Sequence, residues 1–197
     1  MSLSILILAA GSSSRMRGGD KLMEGVDGQP LILRQALMAL ATGLPVSIAL
    51  PSDRPARDAA LDGLAVTRLT VPDAAEGMAA SIRMGAVALP VNTGLLLLLA
   101  DLPEIMTQDL ATLVAAWRVT PTMILRAASA TGTPGHPVIF PSWVTPELTA
   151  LVGDTGARDV LRRHNTRTRL IALPGNRATT DLDTPEDWAA WRAGKRF

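Results

Sequence analysis

Short apolar runs alternate along this chain with segments whose apolar residues recur at helical spacing. The runs are rich in Val, Ile and Leu and are bounded by Gly, Pro or polar residues, which predicts buried strands. Strands are predicted at Leu3–Leu8, Val46–Leu50, Val66–Val71, Leu95–Ala100, Met123–Ala127, Val138–Phe140 and Arg169–Leu173. Helices are predicted at Leu31–Thr42, Pro55–Leu61, Met78–Leu89, Gln108–Val119, Pro146–Leu151, Ala157–Arg163 and Pro185–Arg192.

This alternation of strands and helices predicts the fold class. It is typical of a three-layer α/β fold with a mostly parallel sheet and right-handed crossovers. A chain of 197 residues is long enough for one well-buried domain and short for two, so we expect a single domain over residues 1–197. In such sheets ligands bind beyond the carboxyl ends of the strands. The loops after Leu8 and Leu99 should therefore meet at one edge.

Composition narrows the function classes. Hydrophobic residues make up 48% of the chain and charged residues 19%, which is typical of a soluble globular protein. The net charge of +1, with no Tyr and few other aromatics, argues against nucleic acid or a membrane surface as partner. The absence of cysteine excludes disulfides, thiolate metal sites and a cysteine nucleophile, and fits a cytoplasmic enzyme. The apolar start lacks the basic region and cleavage site of a signal peptide.

The loop Gly11–Lys21, directly after the first strand, has the composition of a polyanion site. Gly11 and the serines after it let a ligand approach backbone N–H groups, while Arg15, Arg17 and Lys21 neutralise phosphate charge. The loop contains neither a Walker A motif nor the Gly-x-Gly-x-x-Gly fingerprint, which disfavours a dinucleotide-binding oxidoreductase. The alternative is a surface turn that happens to be rich in Ser, Gly and Arg.

Asp101 follows the most hydrophobic strand of the chain. A buried carboxylate is costly without a partner, and Mg²⁺ is a natural one, since it takes one or two carboxylates together with substrate phosphates. The alternative is a capping residue before the next helix, aided by Pro103. The topology places Asp101 near Lys21, which favours the metal site.

The segment Asp181–Trp188 carries further carboxylates. Thr184 and the residues after it form a strong helix start, with a capping hydroxyl, a proline in the first turn and acids near the positive end of the dipole. Asp181 and Asp183 are left unexplained by this role. Either could supply a second carboxylate to the metal, and both remain candidates.

The remaining candidates lie at loops and helix starts. Gly77 and Ser81 could present a helix terminus and a hydroxyl to a base or ribose, although core packing is the alternative for this helix. His136, between Gly135 and Pro137, could contact a second substrate, although a lone His is more often structural. The segment Gly153–Arg158 offers a helix start to an anion.

Taken in order, these motifs resemble one known family. They are Leu8-Ala-Ala-Gly-x-Ser-x-Arg-Met16 with Lys21, Gly77-Met-x-x-Ser81, Ala100-Asp-Leu-Pro103, Gly135-His-Pro-Val138, Gly153-Asp-x-Gly-Ala-Arg158 and Asp181-Leu-Asp-Thr-Pro-Glu-Asp187. The set is similar to the molybdenum cofactor cytidylyltransferase branch of the MobA-like nucleotidyltransferases. The resemblance implies a Rossmann-like fold and Mg²⁺-dependent transfer of CMP from CTP to the phosphate of molybdopterin, with release of pyrophosphate. It also implies a molybdoenzyme or its chaperone as a further partner.

The resemblance implies roles for individual residues. It gives catalytic roles to Arg15, Lys21 and Asp101, and metal binding to Asp101 with Asp181 or Asp183. The nucleotide-binding set is Leu8, Ala9, Ala10, Gly11, Ser12, Ser13, Arg15, Lys21, Gly77, Ser81 and Asp101. The residues expected to face the pterin acceptor are Gly135, His136, Asp154 and Arg158.

Two features bear on the branch of the family. Ala9-Ala10-Gly11 resembles the cytidylyl pattern, whereas guanylyltransferases more often carry a second glycine there. The residues Arg17-Gly18-Gly19 before Asp20 depart from the commoner Arg-Met-Gly form. The alternatives are GMP transfer, nucleotidyl transfer to a sugar or alcohol phosphate, and a non-catalytic carrier of molybdenum cofactor.

Overall fold

The computed structural model describes residues 2–154 and 156–194 and contains two sheets. The strands are β1 (Ser2–Leu8), β2 (Gly25–Val26), β3 (Gln29–Pro30), β4 (Val46–Pro51), β5 (Thr67–Val71), β6 (Thr93–Leu99), β7 (Ile124–Ala128), β8 (Pro134–Phe140) and β9 (Thr168–Ala172). The helices are α1 (Leu31–Leu40), α2 (Pro55–Ala59), α3 (Met78–Val87), α4 (Thr107–Val119), α5 (Thr145–Thr149), α6 (Arg158–Arg163) and α7 (Pro185–Gly194). Every predicted strand and helix is present, with boundaries that differ by a few residues.

The main sheet has seven strands in the order β5-β4-β1-β6-β8-β7-β9. Neighbouring strands from β5 to β6 are parallel, and β9 is parallel to β7. Only β8 runs antiparallel, against β6 and β7. This confirms the predicted mostly parallel α/β fold. It also brings the ends of β1 and β6 together at one edge, since these two strands pair over their whole length.

Side chains of β1 alternate between two hydrophobic clusters, one on each face of the sheet. Ile5 and Ile7 pack in the cluster that includes residues of α1 and α4. Leu6 packs in the other cluster, with Ile82 of α3. The continuous apolar character of β1 therefore reflects burial on both faces, as expected for a central parallel strand. None of the helices among the described residues is long and apolar enough to cross a membrane.

The structure extends one predicted strand and adds a hairpin. Strand β8 begins at Pro134, whereas the sequence predicted a Gly/Pro-rich loop until Val138. Arg126 on β7 donates hydrogen bonds to the carbonyls of Pro134 and Gly135, which hold this stretch extended beside β7. The short β2–β3 hairpin was not predicted. Its turn has positive φ at Asp27 (51°) and Gly28 (84°), the conformation that an Asp-Gly pair favours.

Close packing of α3 on β1 gives the first prediction. A Cβ at Gly85 would lie 2.2 Å from Leu6 Cδ2 and within 3.0 Å of two further Leu6 atoms. The substitution Gly85→Ala gains about 1 kcal/mol of helix propensity, but overpacking costs about 1–3 kcal/mol or more. We expect a net loss of about 1–2 kcal/mol in the free energy of unfolding, measured by urea denaturation.

The matched control is Gly194→Ala, at a helical glycine whose Cβ would have no neighbour within 4 Å. That variant should be as stable as the parent or slightly more stable. Equal stability of the two alanine variants would contradict the close contact between α3 and β1.

Candidate active site

The loop after β1 is organised around a buried arginine, Arg57 of α2. Its side chain has no solvent-exposed surface. One terminal nitrogen, Nη1, donates to the carbonyl oxygens of Ala9 (2.6 Å) and Gly11 (2.7 Å), and Nη2 donates to Ser13 Oγ (2.9 Å). Two further bonds of 2.8 Å, from Nε and Nη2, reach the two carboxylate oxygens of Asp20. Arg57 therefore ties the start of the loop to its end.

These bonds also orient the backbone of the loop. In a planar trans peptide the C=O and the following N–H point in opposite directions. Because the carbonyls of Ala9 and Gly11 point at Arg57, the N–H groups of Ala10 and Ser12 point away from it. Within residues 2–154 and 156–194, neither of these N–H groups donates to a backbone or side-chain acceptor. They are available to an anion on the open side of the loop, where Gly11 is exposed.

Asp20 completes the loop. It accepts hydrogen bonds from the N–H of Leu22 (3.0 Å) and from Ser13 Oγ (3.2 Å), in addition to those from Arg57. Burial raises the pKa of this carboxyl, but the hydrogen bonds and positive charge of Arg57 outweigh burial, and the net pKa lies below its usual value. Asp20 is therefore ionised at neutral pH and caps the short 3-10 helix Lys21–Met23.

The loops after β1 and β6 meet at a charged cluster. Lys21 Nζ lies 2.6 Å from Asp101 Oδ2 and 2.6 Å from Asp183 Oδ1, and Arg15 Nη2 lies 2.8 Å from Asp183 Oδ2. This confirms the expectation that Asp101 lies near Lys21. An ammonium group has three N–H donors, and two of those on Lys21 are used by the carboxylates. The third is available to a ligand.

The charge states in this cluster follow from its environment. Burial lowers the pKa of Lys21, but the negative charges and hydrogen bonds of Asp101 and Asp183 outweigh it and raise the pKa above its usual value. Lys21 is thus a permanent cation at physiological pH. Asp181, close by, has a raised pKa because of its burial and the negative charges of Asp101 and Asp183.

The carboxylates of this edge fit a divalent metal that shares its ligands with a substrate. Asp101 Oδ1 is buried and has no hydrogen-bond partner among the described residues, as expected for an oxygen awaiting a cation. The part of the chain that the structure describes contains no group of three or more His, Asp or Glu arranged to hold a metal. Asp101 and one further carboxylate, completed by phosphate oxygens and water, are a donor set that Mg²⁺ accepts.

A cavity of about 360 Å³ opens beside this cluster. The four residues that the resemblance assigned to the acceptor all line it, namely Gly135, His136, Asp154 and Arg158. Arg126 and Asp181 also line it, together with apolar residues that include Leu97, Val138 and Phe140. Asp181 connects the cavity to the charged cluster.

His136 is neutral in this cavity. Burial, with a smaller contribution from the positive charge of Arg126, lowers its pKa to about 4. Its Nδ1 atom is buried and makes no hydrogen bond within the described parts of the chain. A neutral imidazole with an unused nitrogen can accept or donate one hydrogen bond to a bound molecule.

Several candidates have a structural explanation as well. Gly77 has φ 110°, and a Cβ there would lie 2.7 Å from Asp154 Cα. A Cβ at Gly135 would lie 1.9 Å from the carbonyl oxygen of Ala178, so both glycines are required for close backbone approach. Ser81 is only 4% exposed, and its nucleotide contact stays a prediction.

Sequence reasoning missed Arg57, Asp20 and Arg126. An arginine on a five-residue helix such as α2 is normally assigned to the surface, so no sequence signal marked Arg57 as buried. The position of Asp20, one residue before Lys21, carried a weak signal, because Asp is a favoured N-cap. Arg126 lies on β7 within an otherwise apolar run. A single charged residue inside a buried strand indicates that its side chain faces a functional site.

The buried pair gives the second prediction. In Arg57→Met the Asp20 carboxylate stays largely buried without its cation, so we expect the free energy of unfolding to fall by about 3–5 kcal/mol at pH 7. The difference in the free energy of unfolding between this variant and the parent should become smaller as pH falls below about 4. Asp20 has a lowered pKa in the folded parent, and the stabilisation that its ionised form provides is lost as it becomes protonated. Urea denaturation at pH 7 and pH 3 measures both effects.

Arg54→Met is the matched control, because Arg54 donates a solvent-exposed hydrogen bond to the carbonyl of Ser12 (2.7 Å). Its loss should cost no more than about 1 kcal/mol. Similar losses for the two methionine variants would contradict the role of Arg57 as the buried centre of the loop.

Comparisons with known proteins identify the family and the fold. A family model described as the MobA-like NTP transferase domain matches residues 5–168. The crystal structure of Rv0371c from Mycobacterium tuberculosis H37Rv is similar over 97% of both chains, with 27% identity and a TM-score of 0.83. The same protein in complex with manganese gives 24% identity over 96% of this chain and 97% of that chain, with a TM-score of 0.79.

A more distant structure shares the fold. The CMP:2-keto-3-deoxy-manno-octonic acid synthetase complexed with CTP is 16% identical over 98% of both chains, with a TM-score of 0.77. No curated protein matches the chain. Because the family model covers well over half of the chain, the chain belongs to the MobA-like NTP transferase family.

Proposed function

We propose that this nucleotidyltransferase transfers CMP from CTP to a molybdopterin-type acceptor and releases pyrophosphate. The observation that carries the proposal is Lys21, held between Asp101 and Asp183 under a loop that has unused N–H groups. A bound triphosphate and its metal require a cation, a carboxylate oxygen and backbone N–H donors in one place. Lys21, Asp101 Oδ1 and the unused N–H groups of the loop supply these at one edge of the sheet.

The nucleotide would occupy the open side of the loop after β1. The N–H groups of Ala10 and Ser12 would bind its phosphates, together with Arg15 and the third N–H of Lys21. Gly77 and Ser81 remain the candidates for the base or ribose. Asp101 with Asp183 would hold Mg²⁺, and Asp181 remains the alternative to Asp183. When bound, the metal neutralises phosphate charge and aligns the reacting groups.

The reaction is an in-line displacement. An oxygen of the acceptor phosphate attacks the α-phosphorus of the nucleotide, and the bond from that phosphorus to the oxygen bridging to the β-phosphate breaks. The electron pair leaves with pyrophosphate, and no protein nucleophile or proton transfer is needed. The protein contributes positioning and charge stabilisation, which are the main terms in phosphoryl chemistry.

The choice of CTP and of acceptor rests on the sequence. Ala9-Ala10-Gly11 resembles the cytidylyl pattern, and a fold neighbour was crystallised with CTP. Gly135, His136, Asp154 and Arg158 line the cavity beside the charged cluster and would bind the molybdopterin-type acceptor. A molybdoenzyme or its chaperone in the cytoplasm would receive the product.

Substitution of the charged cluster gives the third prediction. Lys21→Ala and Asp101→Asn should each lower turnover by about two to three orders of magnitude, because Lys21 would stabilise the charge of the reacting phosphates and Asp101 would hold the metal that neutralises it. Far-ultraviolet circular dichroism should show an unchanged fold. The control is Arg68→Gln, whose ion pairs with Asp58 and Asp62 lie on the edge strand β5. Full activity in the Lys21 variant would contradict the proposed role of Lys21 in stabilising the reacting phosphates.

The substrate assignment gives the fourth prediction. Pyrophosphate release is measured with Mg²⁺, molybdenum-loaded molybdopterin and each of CTP, GTP, ATP and UTP. We expect turnover with CTP and little with the others. Turnover with GTP alone would assign the chain to guanylyl transfer instead of cytidylyl transfer. No turnover with any of the four nucleotides would exclude the molybdopterin assignment, and would favour another phosphorylated acceptor or a non-catalytic carrier of molybdenum cofactor.

A further inference from the structure

Two arginines face the cavity without a counter-ion. Arg126 comes from β7 and Arg158 from the first position of α6, and both line the cavity next to His136. Across residues 2–154 and 156–194, neither guanidinium forms an ion pair with a carboxylate within 4.0 Å. Most other arginines of this part of the chain are paired, including Arg15, Arg57 and Arg83.

The two cations lie close enough to affect each other. Burial lowers the pKa of Arg126, and the positive charge of Arg158 lowers it further. Like charges that share a partly buried wall repel each other, and an anion bound between them offsets that repulsion. The positive charges of Arg126 and Arg158 are therefore compensated only when a negatively charged ligand binds to this wall.

Arg126 is held in place while keeping donors free. Its Nε donates to the carbonyl of Gly135 (3.0 Å), and Nη2 donates to that of Pro134 (3.4 Å). A guanidinium has five N–H donors, so Arg126 retains donors for an anion in a fixed orientation. Arg158 is exposed and makes none of the hydrogen bonds that the structure describes, so its donors are also available.

The acids on the same wall do not complete this pair. Asp154 and Asp181 line the cavity, but neither forms an ion pair with the two arginines. Asp181 lies toward Asp101 and Asp183, whose charges act on it. The cavity is thus lined by two cations without an ion-pair partner, by two acids that do not pair with them, and by apolar side chains.

We propose that Arg126 and Arg158 form a binding site for the phosphate group of the acceptor, and that Arg126 is a specificity residue for acceptors that are phosphate monoesters. The inference rests on the proposed function and extends it, because it assigns the acceptor's charge to two named side chains. A planar guanidinium matches a phosphate with two parallel hydrogen bonds. The apolar side chains and neutral His136 would contact the body of the acceptor.

The test uses phenyl phosphate as the probe, with binding measured by calorimetry at low salt. Arg126→Gln and Arg158→Gln should each raise the dissociation constant about tenfold or more, because each removes charge-assisted hydrogen bonds. The control Arg169→Gln lies on the neighbouring strand β9, paired with Leu125, at an exposed position, and should bind as the parent does. Benzyl alcohol, which has no charge, should not distinguish the variants.

Binding of CTP is measured in the same samples and should stay within about twofold of the parent, because neither arginine contacts the loop after β1. Unchanged phenyl phosphate affinity in both glutamine variants would overturn the site, as would loss of that affinity only in Lys21→Ala. A different result would overturn the proposed function but not this site. That result is no CTP binding in any sample, while phenyl phosphate affinity still falls in the Arg126 and Arg158 variants.

Discussion

The buried ion pair between Arg57 and Asp20 is the constraint on which the rest of the active site depends. It joins the two ends of the loop after β1, and the same guanidinium binds the carbonyl oxygens of Ala9 and Gly11 on the side away from the ligand. A Gly/Ser-rich loop is flexible by composition, and ordering it costs conformational entropy. The guanidinium offsets that cost inside the fold, so the loop is ordered before any nucleotide binds. Lys21 follows Asp20 directly and is positioned by the same interaction.

The edge of the sheet carries two electrostatic environments side by side. At the ends of β1 and β6, Lys21 and Arg15 are balanced by Asp101 and Asp183. In the adjoining cavity, Arg126 and Arg158 form no ion pair with a carboxylate of residues 2–154 and 156–194. The first arrangement suits a ligand that brings its own cation, as a nucleoside triphosphate does. The second suits a ligand that arrives as a bare anion.

Most of the fold was predictable because hydrophobic periodicity reports burial directly. Leu3–Leu8 and Leu95–Ala100 are almost entirely apolar, which is the pattern of a short strand buried on both faces of a sheet. The proximity of Lys21 and Asp101 followed from topology alone. The antiparallel course of β8 did not follow, because the predicted strand began only at Val138; β8 in fact begins at Pro134, and residues 129–133 that join it to β7 are enough for a hairpin but too few for a parallel crossover.

The parts of the site that sequence could not supply are those set by long-range packing. Arg57 lies 37 positions from Asp20, and nothing in the sequence of α2 distinguishes it from a surface arginine. The roles of Asp181 and Asp183 stayed open for a similar reason. Their neighbours in sequence form a capping box, with Thr184 N bonded to Asp187 and Asp187 N bonded to Thr184. That local signal says nothing about Lys21, which Asp183 contacts across the fold.

The central claim, that Lys21 binds the phosphates of CTP, can be measured directly because the chain contains only two lysines. Biosynthetic ¹³Cε labelling of lysine gives one NMR signal for each, and a Lys21→Arg variant assigns them. Titration with CTP and Mg²⁺ should shift the Lys21 signal saturably, to an extent that matches the calorimetric dissociation constant. CTP binding that saturates without moving the Lys21 signal would contradict the account.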